Sequence, residues 1–366
     1  MKGNLHLGKV SGIKIQVHWT FLFIIIWIVF IDLRGGGNLQ SSLISVAFVM
    51  AIFACVVLHE LGHALTAKKF NIKTRKITLL PIGGVAMLEK MPEKPSEELA
   101  VAIAGPLVNI VIAAILLLFI PLGDYFNMNA EELEGLMGSI SFTNFLLNLF
   151  VANIVLVIFN MIPAFPMDGG RVLRALLSMK MSRSEATNIA ANLGQLLSFG
   201  FFILGILYNP FLILIALFIF LGAAGENKME QQLSLIKDYQ VKDAMLTNLT
   251  FLTPQTQIKE VVELLIAGVE RDFLVTEAGH TLVGVLHYND LIKNVKNQEM
   301  SIDSIMDTQY RVLEASAPLR DALETINREK RKFIPVFENG KLTGAIDLTN
   351  LSEFILLRSN LLPQVN

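Results

Sequence analysis

Residues 43–67 read LISVAFVMAIFACVVLHELGHALTA. An apolar run of this length meets the roughly 20 residues that a helix needs to cross the hydrocarbon core of a bilayer. The run ends on His59-Glu60-Leu61-Gly62-His63. Ionisable side chains at the end of an apolar span are costly, and their default reading is functional. One stretch therefore indicates both a helical membrane protein and a chemical site at the end of one of its spans.

Working outward, the apolar character holds from about residue 17 to 225. Further spans are expected at Val17–Ile31, Leu99–Leu122 and Phe142–Phe165. Leu193–Tyr208 and Phe211–Ala224 read as a short hairpin turning at Asn209-Pro210. About six spans result. The whole chain has 366 residues, 53% hydrophobic and 17% charged, where soluble domains carry roughly 25% charged residues. Mean hydropathy is +0.55. A net charge of -2 excludes a basic nucleic-acid binder. The lone cysteine, Cys55, excludes a disulfide scaffold and a cysteine-ligated zinc site. With six spans, fourteen Lys and Arg fall on the side of the N-terminus, and the opposite loops hold Arg34 alone. By the positive-inside rule both termini are cytoplasmic, in a multi-pass protein of the cell membrane.

His59 and His63 stand four residues apart, so on a helix both imidazoles share one face and can bind one metal ion. Glu60 is placed to take a proton from water at that metal. Catalytic zinc wants three protein ligands and one open position. The best third ligand is Asp168, in Phe159-Asn160-Met161-Ile162-Pro163-Ala164-Phe165-Pro166-Met167-Asp168-Gly169-Gly170-Arg171. Prolines and glycines break the span there, and irregular backbone at membrane depth belongs where it lines a buried or watered cavity. The charge count sends the second and fourth spans in the same direction, so His59, His63 and Asp168 reach the same depth. Cys55 lies one turn before His59, as a further metal contact or, on the plainer reading, a small buried apolar residue. His18 reads as interfacial.

These stretches resemble the site-2 protease family of intramembrane zinc metalloproteases. The resemblance covers residues 10–225. It implies a six-span fold, one zinc ion per chain and cleavage of transmembrane substrates, with His59, His63 and Asp168 as zinc ligands and Glu60 as general base. Asn160, eight residues before the ligand aspartate, matches an asparagine that lies by the zinc in the family. Asn109 matches the family's third-span segment, here Gly105-Pro106-Leu107-Val108-Asn109. Both asparagines are candidates for oxyanion stabilisation or for holding substrate backbone; for Asn109, interhelical hydrogen bonding is an equal reading. Residues 77–87 read as two short strands around Gly83-Gly84, a membrane-associated β-hairpin whose edge can take an extended substrate by β-addition. A re-entrant loop with a packing role is the alternative. The 193–224 hairpin, with little in its turn to anchor it, is expected to act as a lateral gate for substrate from the membrane lipid.

Beyond residue 240 the charge returns and a repeat emerges. Val241-Lys242-Asp243-Ala244-Met245 recurs as Ile302-Asp303-Ser304-Ile305-Met306, and Gly284–Leu291 recurs as Gly344–Leu351. Each copy reads as strand, helix, strand, strand, helix. Repeats of this size stack to bury a face that neither copy buries alone. The pattern is similar to a tandem pair of cystathionine-β-synthase (CBS) domains, which implies a cytoplasmic α/β unit able to bind an adenine nucleotide. Asp290 matches the ribose-binding acid, but His287 occupies the hydroxyl position of copy one, and copy two carries Asp347 and Asn350. Dimerisation through the pair, or substrate docking, stands beside nucleotide binding.

The expected organisation is thus a transmembrane metalloprotease over 1–225, a connection over 226–239, and repeats over 240–297 and 298–366. Its partners are single-pass membrane proteins, such as the anti-sigma factors that the resemblance suggests, together with lipid and a second copy of the chain; nucleic acid is excluded. Two rival readings are a metal or ion transporter or channel gated by the repeat pair, and an inactive protease-like scaffold. Transporters show repeated broken helices, whereas one span is broken here, and the complete ligand set with Glu60 speaks against the scaffold.

Overall fold

The computed structural model describes residues 4–81, 83–88, 92–121, 123, 140–268, 270–277, 281–328 and 333–361. Two compact units divide after Glu230.

The first unit opens with two strands, β1 (Asn4–Val10) and β2 (Ile13–His18), before the helix α1 (Phe21–Arg34). The span expected at Val17–Ile31 therefore starts later and is only 14 residues long, about 21 Å at 1.5 Å per residue. Alternation in Ile13-Lys14-Ile15 places both isoleucines in a small core under the sheet, and that period-two signal merges in sequence with the apolar run behind it. The long helix α2 (Leu39–Lys69) follows, closed at its start by a capping box between Asn38 and Ser41. Then come β3 (Thr74–Leu80) and β4 (Gly83–Leu88). The expected two-stranded hairpin is half of a four-stranded sheet, ordered β1-β2-β3-β4. β2 pairs with β3 in parallel, Ile15 opposite Ile77, and among the described residues β4 pairs only with β3.

Helix α3 (Pro95–Leu117) begins with proline at N1 and continues through Pro106. Leu122, at the end of the expected span, and residues 124–139 lie outside the described residues. Helix α4 (Phe145–Asn160) stops at the predicted break, and α5 (Asp168–Leu177) starts on the aspartate itself. α6 (Arg183–Leu207) and α7 (Phe211–Leu235) have 25 residues each, about 37 Å. They outrun the expected 193–208 and 211–224 because helix continues past the apolar stretch into polar sequence at both outer ends. In α6 the extension starts at a Ser182–Glu185 capping box; in α7 it runs over most of the expected 226–239 connection. Four of the described helices, α2, α3, α6 and α7, are long and apolar enough to cross a membrane; α4 is a shorter apolar helix.

The second unit holds the repeat as two like-ordered modules. β5 (Phe251–Leu252), α8 (Ile258–Ala267), β6 (Phe273–Glu277), β7 (Thr281–Leu286) and α9 (Tyr288–Asn294) make the first. β8 (Leu313–Glu314), α10 (Leu319–Arg328), β9 (Phe333–Glu338), β10 (Lys341–Asp347) and α11 (Leu348–Leu361) make the second. Each carries a three-stranded sheet whose first pair is parallel and second antiparallel. The modules exchange equivalent bridges, Leu246 with Ala345 and Asp307 with Val285. A shared core joins Leu274, Leu282 and Val285 to Phe333 and Ala345. The duplicated sequence thus closes on itself about a pseudo-two-fold, burying between the copies the face that each leaves open.

Candidate active site

The last turns of α2 carry His59 and His63 on one face, and the break after α4 delivers Asp168 at the start of α5. The three side chains are buried. His59 Nε2 and His63 Nε2 lie 3.0 Å apart, and Asp168 Oδ2 is 3.1 and 3.0 Å from them. Among the described residues this is the one group of three such ligands close enough to hold a metal ion.

The far side of each ring explains the chemistry of the near side. His63 Nδ1 faces the carbonyl of Val101 at 2.7 Å, and His59 Nδ1 faces Asn109 Oδ1 at 2.5 Å. Both partners are oxygens that only accept, so each Nδ1 carries a proton, and the neutral form of each ring presents its lone pair at Nε2. Two lone pairs and a carboxylate oxygen then converge at 3.0–3.1 Å, an arrangement that repels itself unless a cation sits among them. Tetrahedral ligands of zinc, bound at ~2.0–2.2 Å, stand roughly 3.3 Å apart. The donor set, its spacing and the oxygens backing the two imidazoles all fit zinc.

Glycine makes the space. A Cβ on Gly105 of α3 would lie 2.6 Å from His59 Nε2 and closer still to His63 Nε2, so any other residue there would fill the place of the ion. A Cβ on Gly170 would meet the backbone of Ala164 and Phe165 at 2.6 Å, so glycine lets residues 161–167 fold onto the start of α5 and aim Asp168. Gly84 of β4 does the same for Glu60: a Cβ would stand 2.8 Å from Glu60 Cγ. The glutamate between the two ligands thus lies against the outermost strand of the sheet, whose other edge position is β1.

The remaining expected residues are placed as follows. Asn109, wholly buried, lies behind His59; its Oδ1 accepts from the ring and its Nδ2 donates to Asn153 at 2.8 Å. It faces the Nδ1 side, away from the converging Nε2 atoms, so the structure gives it the interhelical, ring-holding position rather than that of an oxyanion donor. Asn160 ends α4, and its amide donates to Leu156 O of its own helix at 2.9 Å. Cys55 is buried with Phe48 and Leu149, apart from the ligand group. His18 Nδ1 shares a hydrogen bond with Thr20 at 2.7 Å, at the entrance to α1. In the second unit, Asp290 pairs with Lys293 at 2.9 Å, His287 pairs with Asp272 at 2.9 Å, and Asp347 accepts from the backbone N–H of Asn350 at 2.7 Å.

A second polar centre has no counterpart among the sequence motifs. Glu98 of α3 accepts from Arg174 Nε at 2.8 Å and from Arg183 Nη1 at 2.7 Å; Arg174 also donates to Glu226 at 2.6 Å, and Arg183 to Glu230 at 3.1 Å. Burial works against the Arg174 charge, but the Glu98 and Glu226 carboxylates outweigh it and hold its pKa above the ordinary value. The network pins α3, α5, α6 and α7 together. The α6–α7 hairpin also packs Ala190, Ala191 and Ala223 on Phe165. Its inner half is therefore anchored, at the end opposite the Asn209-Pro210 turn. The signal available in sequence is a set of acidic and basic residues just beyond apolar runs, where they pass for loop charges.

The profile of peptidase family M50 matches residues 47–205, and the CBS domain profile matches 241–297 and 302–357. A zinc metalloprotease of Methanocaldococcus jannaschii is 36% identical over 352 residues, 96% of each chain. Stage IV sporulation protein FB of Bacillus subtilis is 30% identical over 177 residues, 48% of this chain and 51% of its own. Among solved structures, a site-2 protease from Methanocaldococcus jannaschii is 39% identical, covering 61% of this chain and 95% of its own, with a TM-score of 0.45.

Proposed function

The chain belongs to peptidase family M50 and is a zinc metalloendopeptidase with a C-terminal CBS pair; from that premise we propose that it hydrolyses peptide bonds in or near the transmembrane segments of single-pass membrane proteins, modulated by the CBS pair. The observation that carries the proposal is the convergence of His59 Nε2, His63 Nε2 and Asp168 Oδ2 at the end of an apolar helix, with Glu60 beside them.

His59, His63 and Asp168 would hold zinc, which when bound would supply Lewis acidity at the scissile carbonyl and lower the pKa of the attacking water. Glu60 accepts the proton of that water and passes it to the leaving amine. The edge of β4, unpaired among the described residues and reaching Glu60 at Gly84, aligns an extended substrate segment by β-addition. Substrate helix must unwind to lie there, because an intact helix has no free backbone donors to pair with a strand. Asn160 serves the oxyanion once its amide leaves Leu156 O. Water reaches the site past the irregular backbone of 161–167 from the cytoplasmic face, a direction that the loop charges support. The lateral route past α6 and α7 is retained for their outer halves, beyond the Arg174 and Arg183 ion pairs. In the second unit, Asp290 is the position on which adenine-nucleotide binding depends, and dimerisation of the chain runs through the CBS pair.

Zinc-dependent cleavage of single-span substrates by the purified protein in vesicles tests the reading. Loss of cleavage on chelation and its return with zinc support it. Cleavage that persists in metal-free protein contradicts it.

A further inference from the structure

The polar side chains behind His59 form a chain with a fixed direction. Leu149 O can only accept, so Asn153 turns its Nδ2 to it, at 2.8 Å. Asn153 Oδ1 is thereby left facing Asn109, whose Nδ2 donates to it at 2.8 Å. With its nitrogen so committed, Asn109 shows its oxygen to His59 Nδ1, at 2.5 Å. We propose that Asn153 is a positioning residue: through Asn109 it sets the tautomer of His59 that leaves Nε2 free to bind metal. The inference rests on the reading of His59 as a zinc ligand.

The physical reason lies in the symmetry of an amide. Its oxygen and nitrogen ends have nearly the same shape and opposite hydrogen-bonding roles. Removing Asn153 Oδ1 leaves the two orientations of Asn109 without the partner that tells them apart. The reversed amide points an N–H at His59 Nδ1, which must then accept. The ring proton moves to Nε2, and the ring loses its ligating lone pair. Asn153 itself sits fully buried in the otherwise apolar middle of α4, where a polar side chain is costly unless it is used. Its second N–H reaches Cys55 Sγ at 3.5 Å, one turn before His59 on α2. One side chain of α4 thus touches both helices that position His59.

Zinc affinity of the full chain, measured by competition with a coloured chelator, tests this in a double-mutant cycle. Partners behind a metal-bound histidine are typically worth 10–100-fold in affinity, and Asn153→Leu should weaken zinc by about tenfold or more. In Asn109→Asp both side-chain ends are oxygens, so reversal changes nothing, and adding Asn153→Leu should cost no further affinity. Equal loss in both backgrounds would show a packing effect and overturn the proposal. Asn148→Leu, a buried amide on the same helix, should leave zinc binding unchanged; a matching loss there would also overturn it. Should Asn153→Leu fail to fold, Asn153→Ala takes its place in the cycle. The nitrogen-15 histidine spectrum of metal-free protein reads the tautomer directly: Nδ1–H in wild type and a mixture in the variant, with an unchanged spectrum counting against the relay. Wild type that binds no zinc would defeat the metal reading; wild type and Asn153→Leu binding zinc equally would defeat the relay alone.

Discussion

The two units place their buried polar groups in opposite ways. In residues 4–230 the buried ionisable side chains of the helices meet: His59, His63 and Asp168, with Asn109 and Asn153 behind them, at one centre, and Glu98 and Arg174, with Arg183, at another. In residues 231–361 the core is a set of apolar clusters under two small sheets, and the polar residues at the repeated loops, buried His287 and part-exposed Asp290, pair with the more exposed Asp272 and Lys293. Water explains the difference. Where no water can satisfy a donor or acceptor, a polar group survives only with a partner or a function. A histidine or asparagine in the first unit is therefore informative by its presence alone, whereas an aspartate such as Asp290 in the second is not.

Substitutions sharpen that contrast, and the largest effect belongs to the base. Glu60→Gln should lower cleavage by about 10²–10⁴-fold, the usual worth of a general acid–base group, while zinc content stays at the wild-type level. Substantial residual cleavage with zinc in place would remove Glu60 from the mechanism.

Next comes the buried ion network. Arg174→Met leaves Glu226 without its cation and Glu98 with Arg183 alone, and breaking one partner of a buried pair costs about 3–5 kcal/mol. The denaturation midpoint of the first unit should fall sharply and that of the second should not move. An unaltered first unit would mean that Arg183 alone holds Glu98 and that solvent satisfies Glu226.

Gly105→Ala separates the site from the fold. Its added methyl lies among the ligand atoms, so zinc affinity should fall at least about tenfold, as for other disturbances of the shell around a metal, with little change in unfolding temperature. Normal zinc binding would place the ion elsewhere.

The second unit should respond least. Asp290→Ala removes a surface pair with Lys293, worth about 0–1 kcal/mol, so folding of the 231–366 unit should hardly change. Calorimetry with ATP, ADP and AMP then decides whether Asp290 serves a ligand. Weak binding that is lost in the variant supports that role, and no heat in wild type leaves the pair as a dimerisation or docking module.

The same contrast governs what could be read from sequence. His59, Glu60, His63 and the broken span before Asp168 were legible because each interrupts an apolar run with something costly there. The repeat was legible through its spacing, and the paired modules follow it. The strands β1 and β2 were not, because Ile13, Ile15 and Val17 alternate for too few residues before Trp19 and Phe21 continue the apolar run. Asn153 passes for one tolerated amide in an apolar helix, and Glu98 and Arg174 for loop charges; their partners lie 44 and 76 residues away, and no local pattern reports a contact at that distance. Gly105 belongs to a recognisable motif, but its reason, an open space beside two imidazole nitrogens, is visible only in three dimensions.

The central claim is that His59, His63 and Asp168 together hold one zinc ion. Metal analysis of wild type beside Asp168→Ala, each checked for folding, tests it most directly. One zinc per wild-type chain and none in a folded Asp168→Ala protein is the predicted result; full zinc occupancy without the carboxylate would contradict it.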